Sequence, residues 1–114
     1  MDNRRTQNRR YLTYFSQVSD LETGIILGYL VDLTTGGALM IGNYPLDTNA
    51  VYKLRIELPD GFDSHSEMTL EAKAVWRQPD VDPEFYRIGL QLTQVAPRDL
   101  MLLEKLLSTY GTKG

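Results

Sequence analysis

The chain has no cysteine in its 114 residues. That absence excludes disulfides and thiolate-ligated metal sites. Histidine is almost as scarce, His65 being the only one. One histidine without cysteine leaves no Cys/His nucleophile pair and no zinc cluster. No apolar run approaches the roughly 18 residues that a membrane-spanning helix requires, so no membrane insertion is expected. The polar, arginine-rich first residues lack the apolar stretch of a secretion signal, which makes the cytoplasm the expected location. There is no internal repeat, no low-complexity segment and no sign of a second domain, and the length suits one domain.

What is present begins with charge. The net charge of −3 hides an asymmetry. Residues 1–10 carry Arg4, Arg5, Arg9 and Arg10 against Asp2, whereas residues 11–114 carry 8 basic and 14 acidic side chains. A small basic arm on an acidic body is a poor match for long nucleic acid, which an acidic surface repels along its length. It suits one compact anion, although a merely solvated basic tail would look the same.

Behind the arm the chain reads as strands followed by one helix. Residues 11–18 are aromatic and β-branched, residues 20–24 form a turn, and 25–31 resume as a strand, which together predict a hairpin. Residues 38–41 form a short apolar strand. Residues 51–58 alternate, with Tyr52, Leu54, Ile56 and Leu58 toward a core. Residues 68–77 alternate again and put Met68, Leu70, Ala72, Ala74 and Trp76 on one face, and residues 85–92 add Tyr86, Ile88, Leu90 and Leu92. About six strands with short connections predict a small closed antiparallel barrel. The period then changes. Leu100, Leu103, Leu106, Leu107 and Tyr110 recur at helical spacing over 97–110, with Pro97 and Asp99 at the start and Gly111 as the stop. Such a stripe must be buried, either against the barrel or against a second copy of the chain.

No catalytic set emerges. His65 lies in the polar stretch 61–66 and reads as solvated, and the carboxylates lie in turns without acid–base spacing. Gly24 with Gly28, or Gly36 with Gly37, makes no phosphate loop of the nucleotide-hydrolase kind. The chain therefore reads as a non-enzyme with no metal and no cofactor. Two features remain. Arg5 and Arg9 stand at i, i+4, flanked by Arg4 and Arg10, and guanidinium forks fit both phosphate oxygens and the O6/N7 edge of guanine. Asp32-Leu33-Thr34-Thr35-Gly36-Gly37 ends a predicted strand. Its carboxylate can accept from a purine N–H edge, its hydroxyls can cap a turn or meet a ligand, and its glycines permit close approach. An ordinary strand-to-strand turn would have the same composition.

In this order the two features resemble the PilZ family, whose pattern is RxxxR followed by (D/N)xSxxG. Arg5 and Arg9 match the first motif; Asp32, Thr34 and Gly37 match the second, with Thr34 in place of the usual serine. Residues 74–77 and 86–92 are also similar to late strands of that family. The resemblance implies a six-stranded antiparallel PilZ-like barrel, all-β with one C-terminal helix, spanning 11–114 behind a ligand-binding arm of residues 1–10. It implies a receptor for cyclic di-GMP that regulates an effector protein. Arg5 and Arg9 would then grip phosphates and guanine edges, with Arg10 and Arg4 as helpers. Asp32 and Thr34 would bond a guanine, and Gly37 would shape the turn. Two other readings stay open: an adaptor of the same fold that binds no nucleotide, and a small barrel for single-stranded nucleic acid using Tyr11, Tyr14 and Phe15, which the acidic body disfavours.

The arm offers almost no apolar surface to offset the entropy of fixing it, about 1–2 kcal/mol per residue. Residues 1–10 are therefore expected to exchange their amide protons freely without ligand and to become protected with cyclic di-GMP. Hydrogen exchange on residues 4–10 in both states checks this, and full protection in the free protein would refute it.

Overall fold

The computed structural model describes residues 10–113, so Arg4, Arg5 and Arg9 lie outside the described residues. Six strands run in chain order: β1 (Arg10–Asp20), β2 (Ile26–Leu33), β3 (Gly37–Gly42), β4 (Val51–Glu57), β5 (Glu67–Pro79) and β6 (Tyr86–Gln94). Helix α1 (Pro97–Tyr110) and a short strand β7 (Gly111–Lys113) follow. Hydrogen bonding gives the order β2-β3-β6-β5-β4-β1, and β1 also pairs with β2, so the sheet closes. Every pairing is antiparallel. The expected six-stranded antiparallel barrel with a C-terminal helix is thus the observed fold.

The alternating segments fold this way because one face of each is apolar. In β4 the side chains of Leu54 and Ile56 are buried, and Leu58 just beyond joins them. In β5 the inward set is Met68, Leu70, Ala72 and Ala74. Leu30, Leu33, Met40 and Ile88 complete a continuous core. Gly28 and Gly42 face each other where β2 and β3 draw together, and a side chain on either would strike the opposite backbone.

Two features differ from expectation. Strand β7 pairs with the start of β1, Arg10 opposite Lys113 and Leu12 opposite Gly111. Three residues are too few to show a period of two, so the sequence carries no sign of it. Arg10, assigned by composition to the arm, is the first residue of β1.

Helix α1 buries Leu102, Leu103 and Leu106 against the barrel, with Leu107 partly buried against the same core, while Met101 on the far side is 71% exposed. No helix among the described residues is long and apolar enough to cross a membrane. Two polar clamps seat the helix. Asp99 is buried, and its Oδ1 accepts from the Thr69 amide at 3.1 Å and from Arg98 Nη2 at 2.9 Å. Nearly two turns later, Lys105 Nζ donates to the Phe62 carbonyl and to Asp63 Oδ2, both at 2.9 Å, and lies over the Phe62 ring. His65, expected to be solvated, has a side chain 41% exposed and also places Nδ1 2.8 Å from Asp63 Oδ1. The loop is folded back by its own polar groups, a contact between residues two apart that composition does not reveal.

The hydrogen bond from His65, then the one from Lys105, holds the Asp63 carboxyl well below its ordinary value of 3.8. A depressed carboxylate adds stability above its unfolded pKa and loses it as pH falls through the folded one. The melting-temperature gap between wild type and Asp63→Asn should therefore be level from pH 7 to about pH 5 and narrow below about pH 4. Thermal melts from pH 7 to pH 3 check this, and a gap unchanged at pH 3 would show that the charge is not the anchor.

Candidate functional site

Two β-bulges build the site. Between β2 and β3 the pairing runs from Leu30↔Met40 to Asp32↔Leu39, so β2 carries one extra residue. Between β5 and β6 it runs from Ala74↔Leu90 to Trp76↔Gly89, so β5 does too. An extra residue reverses the alternation beyond it and re-aims the side chains that follow. Strict alternation would turn Asp32 inward with Leu30, and Trp76 inward with Ala74. Instead Asp32 pairs with Leu39, next to the inward-facing Met40, and so joins the outer face. Trp76 is 39% exposed and lies across Gly89 on that same face. This corrects the reading of Trp76 as a core residue.

Asp32, Leu39, Gly89 and Trp76 are successive cross-strand partners over β2, β3, β6 and β5. At the usual strand spacing they form one transverse row about 14 Å long. The row crosses a concavity of about 260 Å³ whose lining includes Asp32, Thr34, Gly37, Trp76, Gly89 and Gln91. Asp32 is only 3% exposed there.

The turn between β2 and β3 forms one wall. The Thr34 amide donates to the Gly37 carbonyl at 2.8 Å, which closes it. Thr34 Oγ1 accepts from the amides of Gly36 at 3.2 Å and Gly37 at 3.0 Å, and itself lies 3.3 Å from the Gly37 carbonyl as a donor. Thr34 thus takes the capping role that the sequence left open to it. The Leu92 amide donates to the Gly36 carbonyl at 3.0 Å and ties the turn to β6. Gly37 is needed for space: a Cβ there would come within 2.9 Å of the Leu90 carbonyl oxygen.

Asp32, Thr34 and Gly37 are thus brought together, as the motif implies. Arg10 pairs with Leu33, the residue after Asp32, so the strand that follows the arginine-rich residues begins beside the concavity. The sequence reading missed Trp76 and Gly89. A glycine in the middle of an otherwise regular strand was the available signal, since it marks a bulge or a close approach. Chemically the site offers a carboxylate acceptor for an N–H edge and an indole on which a planar base can stack.

The family model for the PilZ domain matches residues 3–109. Among curated proteins, none matches the sequence. Several solved structures share the fold, among them the following three. The PilZ domain of Escherichia coli YcgR with c-di-GMP aligns at TM-score 0.68 and 15% identity, over 95% of this chain and 92% of that one. The Bacillus subtilis inhibitor of motility, MotI/DgrA, aligns at 0.66 and 20% identity, over 90% of this chain and 48% of that one. MrkH of K. pneumonia in its apo state aligns at 0.71 and 20% identity, over 96% and 53%. The chain therefore spans about half the length of the last two.

Because the Thr34 hydroxyl serves two amides, removing it leaves turn donors without that acceptor. Thr34→Val should destabilise the fold by about 1–2 kcal/mol, whereas Thr34→Ser should stay within about 0.5 kcal/mol of wild type. Urea denaturation checks both, and equal stability of all three proteins would remove the capping role.

Proposed function

The chain belongs to the PilZ domain family, and on that premise we propose that it is a cyclic di-GMP receptor that works by binding and not by catalysis. The observation that carries this reading is the outer row in which Asp32 and Trp76 flank one concavity beside the Thr34–Gly37 turn. Asp32 accepts from the N–H edge of a guanine, and the Trp76 indole stacks on a base. Neither group binds phosphate, and Asp32 alone repels it. The phosphates are held by Arg5 and Arg9, assisted by Arg10 and Arg4, whose forked donors match them. The c-di-GMP complex of YcgR supports the choice of ligand, since this chain covers 92% of that domain.

Binding neutralises the arginines and orders residues 1–9 against the barrel, which changes the surface an effector protein meets. Strand β1 gives that change a second route. Its first residues pair with β2 on one side and with β7, which directly follows α1, on the other. The exposed side of α1 is therefore the other surface through which an effector can read the bound state. Control of motility fits the neighbour whose name is an inhibitor of motility.

Calorimetric titration with cyclic di-GMP tests the reading. Arg5→Ala, Arg9→Ala and Asp32→Ala should each keep the fold and lose about 1.5–3 kcal/mol of binding, roughly tenfold to a hundredfold in affinity. Trp76 is the only tryptophan, so its emission should change on titration. Wild-type affinity in all three variants would sink the proposal.

A further inference from the structure

The second bulge puts Trp76 on the outer face, yet that alone does not fix where its indole lies. Opposite it stands Gly89, and a Cβ built there would fall inside contact distance of the indole Nε1, Cε2 and Cδ1 atoms. The indole thus occupies the volume that any other residue at position 89 would fill. Backbone conformation does not demand glycine here, because Gly89 is absent from the positive-φ glycines Gly24, Gly28 and Gly61. What the position requires is an empty space on the outer face, in register with Asp32 and Leu39.

We propose that Gly89 is a positioning residue for ligand recognition: its missing side chain seats the Trp76 indole in the row that Asp32 begins. This rests on the receptor reading above, with Trp76 as the platform for a base. Gly89 touches no ligand. It acts through the indole, which a methyl group at position 89 would push off the strand and away from the concavity. Trp76 is at the surface and its ring can swing outward, so the displacement leaves the core of Ala74, Ile88 and Leu90 in place.

A double-mutant cycle on the full chain tests this, with Gly89→Ala, Trp76→Ala and the double variant. Two readouts are used: cyclic di-GMP affinity by calorimetry, and acrylamide quenching of Trp76 without ligand. Gly89→Ala should weaken cyclic di-GMP about tenfold, within the range of one base–aromatic stack, and should raise the quenching constant. In the Trp76→Ala background the same substitution should change affinity less than about twofold. An equal loss in both backgrounds would overturn the proposal, because Gly89 would then act through the strand. Unchanged quenching and affinity in Gly89→Ala would overturn it as well. If Gly89→Ala fails to fold, a folded double variant supports the seat and an unfolded one refutes it. If wild type binds no cyclic di-GMP, the receptor reading fails, while the quenching comparison still decides whether Gly89 seats the indole.

Discussion

Closure of the barrel is the constraint from which the site follows. Six antiparallel strands around one apolar core must coil and bend until β1 meets β2 as well as β4. Regular pleated strands do not close so tightly, and extra residues supply the bend. The β1–β2 pairing carries irregularities, β2 has an extra residue against β3, and β5 and β6 each have one against the other. Each extra residue also reverses the facing of what comes after it. At two of these places the reversed residue is Asp32 or Trp76, so bends that closure demands also turn these two side chains to the outer face of the sheet. A flat sheet of the same composition would have turned both inward, where an aspartate is costly without partners.

The same point separates what the sequence made legible from what it did not. Leu54 and Ile56 in β4, and Met68 to Ala74 in β5, were placed correctly because burial of one face imposes a period of two. The helix over 97–110 was equally plain from its leucines, and its bounds match. Trp76 was misread because alternation was carried through a bulge that local composition does not announce. Gly89 held the information, but only jointly with its partner across the ladder. Strand β7 was missed because three residues have no pattern. His65 is substantially exposed, as its setting implied, but its bond to Asp63 was hidden because it depends on the path of the loop and not on residue type.

For the binding site, the motif-bearing turn was legible and its floor was not. Asp32, Thr34 and Gly37 lie within six consecutive residues, so one short stretch reveals them together. The row they open onto is assembled from β2, β3, β6 and β5, with Asp32 and Trp76 44 positions apart. Nothing local records such a neighbourhood. Thr34 also shows that a motif hydroxyl can serve a structural purpose. Its hydroxyl holds the amides of Gly36 and Gly37, which sets the turn beside Asp32. Serine and threonine serve that purpose alike, since both present the same oxygen.

Charge and geometry then divide the work of recognition. The described face supplies a carboxylate and an indole, which suit a base and not a phosphate. The basic groups that suit phosphate sit in residues 1–10, ahead of a body with 14 acidic and 8 basic side chains. A ligand that bears both planar bases and phosphates satisfies the two parts together, and one that bears only one satisfies neither fully. The junction between the parts is the start of β1, where Arg10 pairs with Leu33 and also with Lys113. That junction is held on both sides by backbone hydrogen bonds, so the barrel presents a fixed root at Arg10. A fixed root shortens the distance the arm must search, and the entropy lost on closure falls with the length of chain left free. Arg5 and Arg9 precede that root by only a few residues in the sequence, so the phosphate contacts proposed for them would call for little chain beyond it.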